Sequence, residues 1–267
     1  MVLPGGVWNG GDLDRGFRFH EVTGALELGF EEAVQQERSV PARVTRALAV
    51  ALESVGGCDA DELSVRELSV ADRQFLMRHL ACHLHSEREW HSALCPSCKA
   101  VFDVRLRPSE LPIKPPGEGY PFVTVPTRFG QLRFRVPTGA DQECIAGLED
   151  ETRAVPVLLQ RLLVDYQDNP TALEFSGEDV AAIESAIESV APELVVWVPT
   201  ECPECKTEMR VEIDPYACLQ SGRQGLLREV HRLASAYHWS ERDIMEMPRD
   251  RRRRYLALVE EARGMMH

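Results

Sequence analysis

The sequence predicts an α+β fold in which two cysteine turns with short strands frame a long inserted segment, with helical regions at either end. Three observations carry that reading. Two C-P-x-C motifs share one downstream pattern, an alternating apolar run follows each, and apolar residues at helical spacing fill the flanking regions. A chain of 267 residues with a hydrophobic fraction of 44% suffices for one large or two modest domains.

In chain order, Gly5-Gly6 and Gly10-Gly11 signal loops, and residues 17–22 read as a strand. Thr23 offers an N-cap for a helix through about Val34. Val44, Ala47, Leu48, Ala51, Leu52 and Val55 then repeat at helical spacing, with Pro41 in the first turn and Gly56-Gly57 as the stop. A third helix begins at Ser69, with Asp72 at the capping-box position, and buries Leu76, Met77, Leu80 and Leu84.

That helix leads into the first cysteine turn, Cys95-Pro96-Ser97-Cys98-Lys99, and the second reads Cys202-Pro203-Glu204-Cys205-Lys206. Phe102, Val104 and Leu106 fall in the same phase as Met209, Val211 and Ile213, so each turn feeds a strand with one buried face. Each run ends at a proline, Pro108 or Pro215, which cannot donate to a continuing ladder. Two thiolates on such a turn can point at one ion, and two turns supply the four tetrahedral ligands of a structural zinc. The expected site is therefore one Zn(2+) per chain, held by Cys95, Cys98, Cys202 and Cys205 in a zinc-ribbon core. Four sulfurs leave no position for water or substrate, so the metal holds the fold rather than catalysing. Thiol–disulfide exchange is the other reading of C-P-x-C. The matched flanks favour zinc, because two redox sites with parallel strands would be a coincidence.

About a hundred residues separate Cys98 from Cys202, far more than a simple ribbon linker. The expected organisation is therefore an N-terminal strand plus helical region (1–92), a first knuckle and strand (93–108) and an inserted acidic α+β subdomain (109–198). A second knuckle and strand (199–215) and a C-terminal helical region (216–267) complete it. Cys82, His83, His85 and His91 cluster before the first knuckle, as a second metal site or as ordinary surface and core residues. Cys58 lies in a glycine loop, and Cys144 and Cys218 read as small buried side chains.

Within the insertion, residues 113–119 read as a loop, and residues 120–125 and 132–136 as strands about a turn at Gly130. Thr138 or Gly139 opens a helix over about 140–148, and further helices follow at about 153–166 and 177–190. From Asp141 to Glu193 the only basic residues are Arg153 and Arg161, which marks a solvated acidic face or a docking surface for a basic partner. Past the second knuckle, Leu226, Leu227, Val230, Leu233, Ala234 and Tyr237 define an amphipathic helix. Ser240 with Asp243 caps a short helix, and Pro248 starts the last one, which carries Arg249 and Arg251, Arg252, Arg253 and Arg254. Consecutive residues point around a helix, so some of these arginines must face whatever it packs on.

The net charge of −13 disfavours a general nucleic-acid or anionic-membrane binder. No apolar run reaches the roughly 18–20 residues a membrane helix needs, and the N-terminus lacks the blocks of a signal peptide. A soluble, cytoplasmic protein is expected, where disulfides are not the default fate of cysteines. No phosphate-binding loop, dinucleotide fingerprint, H-E-x-x-H or G-x-S-x-G motif occurs, and nothing proposes a reaction.

Several segments together carry a resemblance. They are Leu3-Pro4-Gly5-Gly6 with Val22-Thr23-Gly24, Ala71-Asp72-Arg73-Gln74 within 63–84, the paired C-P-x-C turns, the run from Phe134 through Pro137-Thr138-Gly139-Ala140-Asp141-Gln142-Glu143, and the end from Tyr237-His238-Trp239-Ser240-Glu241-Arg242-Asp243-Ile244 through 251–258. Over most of its length the chain resembles the baseplate hub assembly chaperones of T-even phages and their relatives in contractile tails and phage-tail-like injection systems. The resemblance implies a non-enzymatic role as assembly chaperone or structural component, with hub, spike or tube proteins as partners, no membrane and no small-molecule substrate. A zinc-ribbon nucleic-acid binder using the arginine-rich last helix is the alternative.

Overall fold

The computed structural model describes residues 1–84, 90–107, 110–164, 166, 173–220 and 225–264, and mixes helices and strands throughout. Strands β1 (Val2–Trp8), β2 (Leu13–Phe19), β3 (Leu52–Val55) and β4 (Cys58–Asp59) form one antiparallel sheet in chain order. Helices α1 (Gly24–Gln36), α2 (Val40–Ala51), α3 (Glu62–Glu67) and α4 (Val70–Leu84) accompany it. Leu3, Phe17, Phe30, Leu48, Leu52, Leu76 and Leu80 meet in their common core. The caps foreseen at Thr23 and Ser69 are present: Thr23 Oγ1 accepts from Leu26 N and Ser69 Oγ from Asp72 N.

Two expectations for this region are corrected. Gly5 and Gly6 lie inside β1, at a register irregularity between Val2 and Val7, rather than in a loop. The second helix stops at Ala51, and Leu52–Val55 is a strand pairing with β2 at Phe17 and Val55. Gly56 and Gly57, at φ of 58° and 76°, therefore make the tight turn of the β3–β4 hairpin rather than a helix stop. The helical period ran through Val55 because Leu52 and Val55 are buried in either conformation. The unpaired edge of β2 decides in favour of the strand.

The next elements are β5 (Trp90–Leu94), β6 (Val101–Arg105), β7 (Ile113–Lys114), β8 (Phe122–Thr127), β9 (Gly130–Arg135) and α5 (Gly139–Ala146). Then come α6 (Ala154–Leu162), β10 (Leu163–Val164), α7 (Gly177–Val190), β11 (Glu193–Leu194), β12 (Trp197–Glu201) and β13 (Glu208–Glu212). Helices α8 (Leu226–Tyr237), α9 (Glu241–Met245) and α10 (Arg249–Gly264) close the chain. A sheet in the order β10-β9-β8 packs against α6 and α7 around Val125, Phe134, Leu159 and Ile183. The helix expected over 153–166 ends at Leu162, and Leu163–Val164 turns out to pair with β9. Residues 113–114, expected as loop, pair with Glu193–Leu194 as β7 and β11 and bring the two ends of the insertion together. Helices α8, α9 and α10 share a third core of Leu226, Val230, Leu233, Ile244 and Leu256.

Polar side chains buried on adjacent positions of α4 tie these parts together. The Asp72 carboxylate accepts from Gly5 N at 2.8 Å, Gly6 N at 3.1 Å and Ser69 Oγ at 2.7 Å. A Cβ on Gly5 would stand 2.2 Å from the Tyr120 hydroxyl, so only glycine lets β1 approach this closely. Arg73 points the other way, donating to Thr45 Oγ1, the Val65 carbonyl and the Pro41 carbonyl. Burial draws its guanidinium down to about 10.

Residues 137–143 dock on this joint. Gly139 N donates to the Leu68 carbonyl and Val70 N to the Pro137 carbonyl, while Glu143 accepts from Thr45 and from Arg66 Nε. Buried Asp141 accepts from Arg135 on both oxygens, from Arg161 Nε at 2.8 Å, and from Thr138 N. A Cβ on Gly139 would lie 2.2 Å from Arg73 Nη1. Gly139→Ala should therefore destabilise the protein by about 1–3 kcal/mol in chemical denaturation, the range for overpacking. Gly177→Ala, where a Cβ meets nothing within 4 Å, should leave the midpoint unchanged or raise it.

Candidate metal centre

Each cysteine turn joins two strands rather than preceding one. Trp90–Leu94 pairs with Val101–Arg105 and Trp197–Glu201 with Glu208–Glu212, so each C-P-x-C is the loop of an antiparallel hairpin. The strands ahead of the cysteines were not foreseen, because His91 and Ser92, or Pro199 and Thr200, leave no apolar alternation to read. Inner-face residues Ala93, Phe102, Val104, Val198, Met209 and Val211 pack the hairpins together.

The two loops repeat each other bond for bond. Cys95 N donates to the Ala100 carbonyl at 2.9 Å and Lys99 N to the Cys95 carbonyl at 3.1 Å. In the second loop Cys202 N donates to the Thr207 carbonyl and Lys206 N to the Cys202 carbonyl, both at 3.0 Å. Lys99 and Lys206 adopt φ of 62° and 60°, the left-handed conformation that turns the chain back after the second cysteine.

These turns bring the four sulfurs of Cys95, Cys98, Cys202 and Cys205 within 4.8 Å of one another. Cys95 Sγ lies 3.6 Å from Cys205 Sγ, and Cys98 Sγ 3.7 Å from Cys202 Sγ. Cys95 and Cys202 are buried, Cys98 and Cys205 exposed, so the cluster closes the shared core on one side and meets solvent on the other. The Thr207 hydroxyl and N–H, followed by Cys98, draw the Cys205 thiol down to about 6. Cys98 is pushed up to about 12: the Ala100 N–H favours its thiolate, but Cys205, burial, Cys95 and Cys202 together outweigh it. The Cys95 thiol is drawn down as well, chiefly by a backbone N–H at Cys98, so the shifts within the cluster are mixed in direction. Four soft donors so disposed are compatible with a metal site.

Set against family models, curated proteins and solved structures, the chain matches none of them.

The described members of the second cluster considered from sequence, Cys82, His83 and His91, form no metal-ligating group. His83 Nε2 donates to the His20 carbonyl at 2.8 Å and its ring stacks on Phe19. Cys82 is half-buried, His91 lies on β5, and His85 falls outside the described residues. Among the described residues the four knuckle cysteines are the one such metal-ligating group. Cys218 is buried as expected, with its Sγ 3.9 Å from the Met77 carbonyl, whereas Cys144 is only half-buried and Cys58 is exposed on β4. Pro108 also falls outside the described residues, and Pro215 lies beyond the end of β13.

The arginine run divides by helical phase. Arg249 and Arg252 are buried on Glu27 of α1, with Arg249 also on the Leu84 carbonyl and Arg252 on Glu229. Arg251, Arg253 and Arg254 face outward.

The left-handed lysines yield a direct test. Lys99→Gly and Lys206→Gly should each raise stability by up to about 1 kcal/mol, whereas Lys206→Val should lower it by about 1–2 kcal/mol, measured by denaturation.

Proposed function

We propose that this chain is a non-enzymatic assembly or structural protein of the baseplate hub of a contractile tail or phage-tail-like injection system. One structural zinc, bound by Cys95, Cys98, Cys202 and Cys205, holds its fold as an interrupted zinc ribbon. The observation that carries the metal reading is the sulfur spacing. Zinc–sulfur bonds of about 2.3 Å in a tetrahedron place sulfurs about 3.8 Å apart, close to the 3.6 and 3.7 Å found here. Bound zinc supplies a cross-link across roughly a hundred residues and, with four protein ligands, no open coordination position.

The baseplate reading rests on the resemblance, and the structural roles of the resembling segments support it. Gly5 and Gly6 meet Asp72, Arg73 meets Gly139, and Asp141 gathers Arg135 and Arg161. Trp239 stacks on Tyr237 and meets Tyr255 edge-on. A likeness concentrated at joints between segments is a likeness of architecture, so the baseplate role itself rests on the resemblance. No helix among the described residues is long and apolar enough to cross a membrane. The nucleic-acid alternative has less support, since Arg249 and Arg252 are committed to internal ion pairs.

Elemental analysis of the purified protein should give one zinc per chain, released by denaturation or thiol modification. Replacing any one of the four cysteines with serine should abolish that stoichiometry and cost about 4 kcal/mol or more of stability; four variants melting like the parent would rule zinc out. Pull-down or gel filtration with hub, spike and tube proteins should yield a complex. Failure with all three, alongside steep salt-dependent binding to DNA, would favour the alternative.

A further inference from the structure

We infer that the outward face of α10 docks on the outward face of α7 in a second copy of this chain. On α10, Arg249, Arg252, Leu256 and Val259 point inward, which leaves Arg251, Arg254 and Leu258 as an exposed row. On α7, Val180, Ile183 and Ile187 pack on the sheet, which leaves Ala181, Glu184 and Glu188 exposed. Both rows follow i, i+3, i+7 spacing over about 10.5 Å of helix.

Neither row is explained by its own helix. Glu184 and Glu188 are like charges one turn apart, and Glu188 stands in the last turn of α7, where the helix dipole disfavours anions and no basic residue lies. Arg251 stands in the first turn of α10, where cations are disfavoured, and Arg254 follows one turn later. Among the described residues none of the four makes a side-chain ion pair. Arg251 lies over the Tyr255 ring, and Lys114 Nζ donates to the Glu188 carbonyl rather than to its carboxylate.

Laid antiparallel, the helices remove both conflicts. Arg251 meets Glu188, Arg254 meets Glu184, and Leu258, 51% exposed, meets the small Ala181. The N-terminus of one helix then adjoins the C-terminus of the other. Each copy carries both patches, so reciprocal engagement closes a two-fold dimer and one-sided engagement builds a ring or an extended array.

Sedimentation velocity of the full chain from about 1 to about 100 μM tests this, at about 0.02 M and about 0.5 M salt. The parent should associate with concentration at low salt and dissociate at high salt. Glu184→Arg/Glu188→Arg and Arg251→Glu/Arg254→Glu should each weaken association by about tenfold or more, and an equimolar mixture should restore it, because the reversed faces pair with each other. Leu258→Asp, which spares the four charges, should also weaken it with an unchanged melting temperature. A parent that stays monomeric, variants that associate like the parent, or a mixture without recovery would each overturn the inference.

Discussion

Two charged side chains buried side by side on α4 hold segments that are distant in sequence. Asp72 fastens the Gly5-Gly6 backbone of β1 beside Tyr120, and Arg73 fastens α2 and α3 while Gly139 lies against it. Buried charges are costly unless hydrogen-bonded, so the three acceptors of Arg73 (whose Nε alone lacks one) and the three donors to Asp72 make their neighbours' positions a condition of stability. The glycines follow from the same constraint, since a methyl group at either place would occupy the space of a hydroxyl or a guanidinium.

A second joint operates where the insertion leaves and re-enters the chain. The β7–β11 ladder pairs Ile113–Lys114 with Glu193–Leu194, and beyond it two hairpins bring four sulfurs to one point. The hairpins share only a small apolar core, so a cross-link there has more to hold than it would in a large domain. Zinc, as proposed, is such a cross-link.

Charge is distributed between inside and outside by the same logic. Of the C-terminal arginines, Arg249 and Arg252 serve as internal partners to Glu27 and Glu229, fixing the last helix on α1, α4 and α8. Their neighbours Arg251, Arg253 and Arg254, like Glu184 and Glu188 of α7, are exposed.

The cysteine turns, their matched flanks, the cap residues Thr23, Ser69 and Ser240 and the limits of α7 were legible in the sequence, because each depends on residues within a few positions. The strands at Leu52–Val55 and Leu163–Val164 were not, since an apolar run fits helix or strand until a partner edge exists, nor was Ile113–Lys114, two residues defined only by their pairing with Glu193–Leu194. The strands before each cysteine pair were hidden by polar residues on a two-stranded ladder. By itself, then, the sequence determined the α+β class and the four thiols that cluster, which follow from local period and spacing. Only the tertiary structure decided that Asp72 and Arg73 are joints rather than surface charges, that Arg252 is buried while Arg251 is exposed, and that among the described residues Cys82 and His83 join no metal-ligating group. Those outcomes depend on which distant segments meet, and no local pattern encodes a meeting between residues 5 and 72 or between 27 and 252.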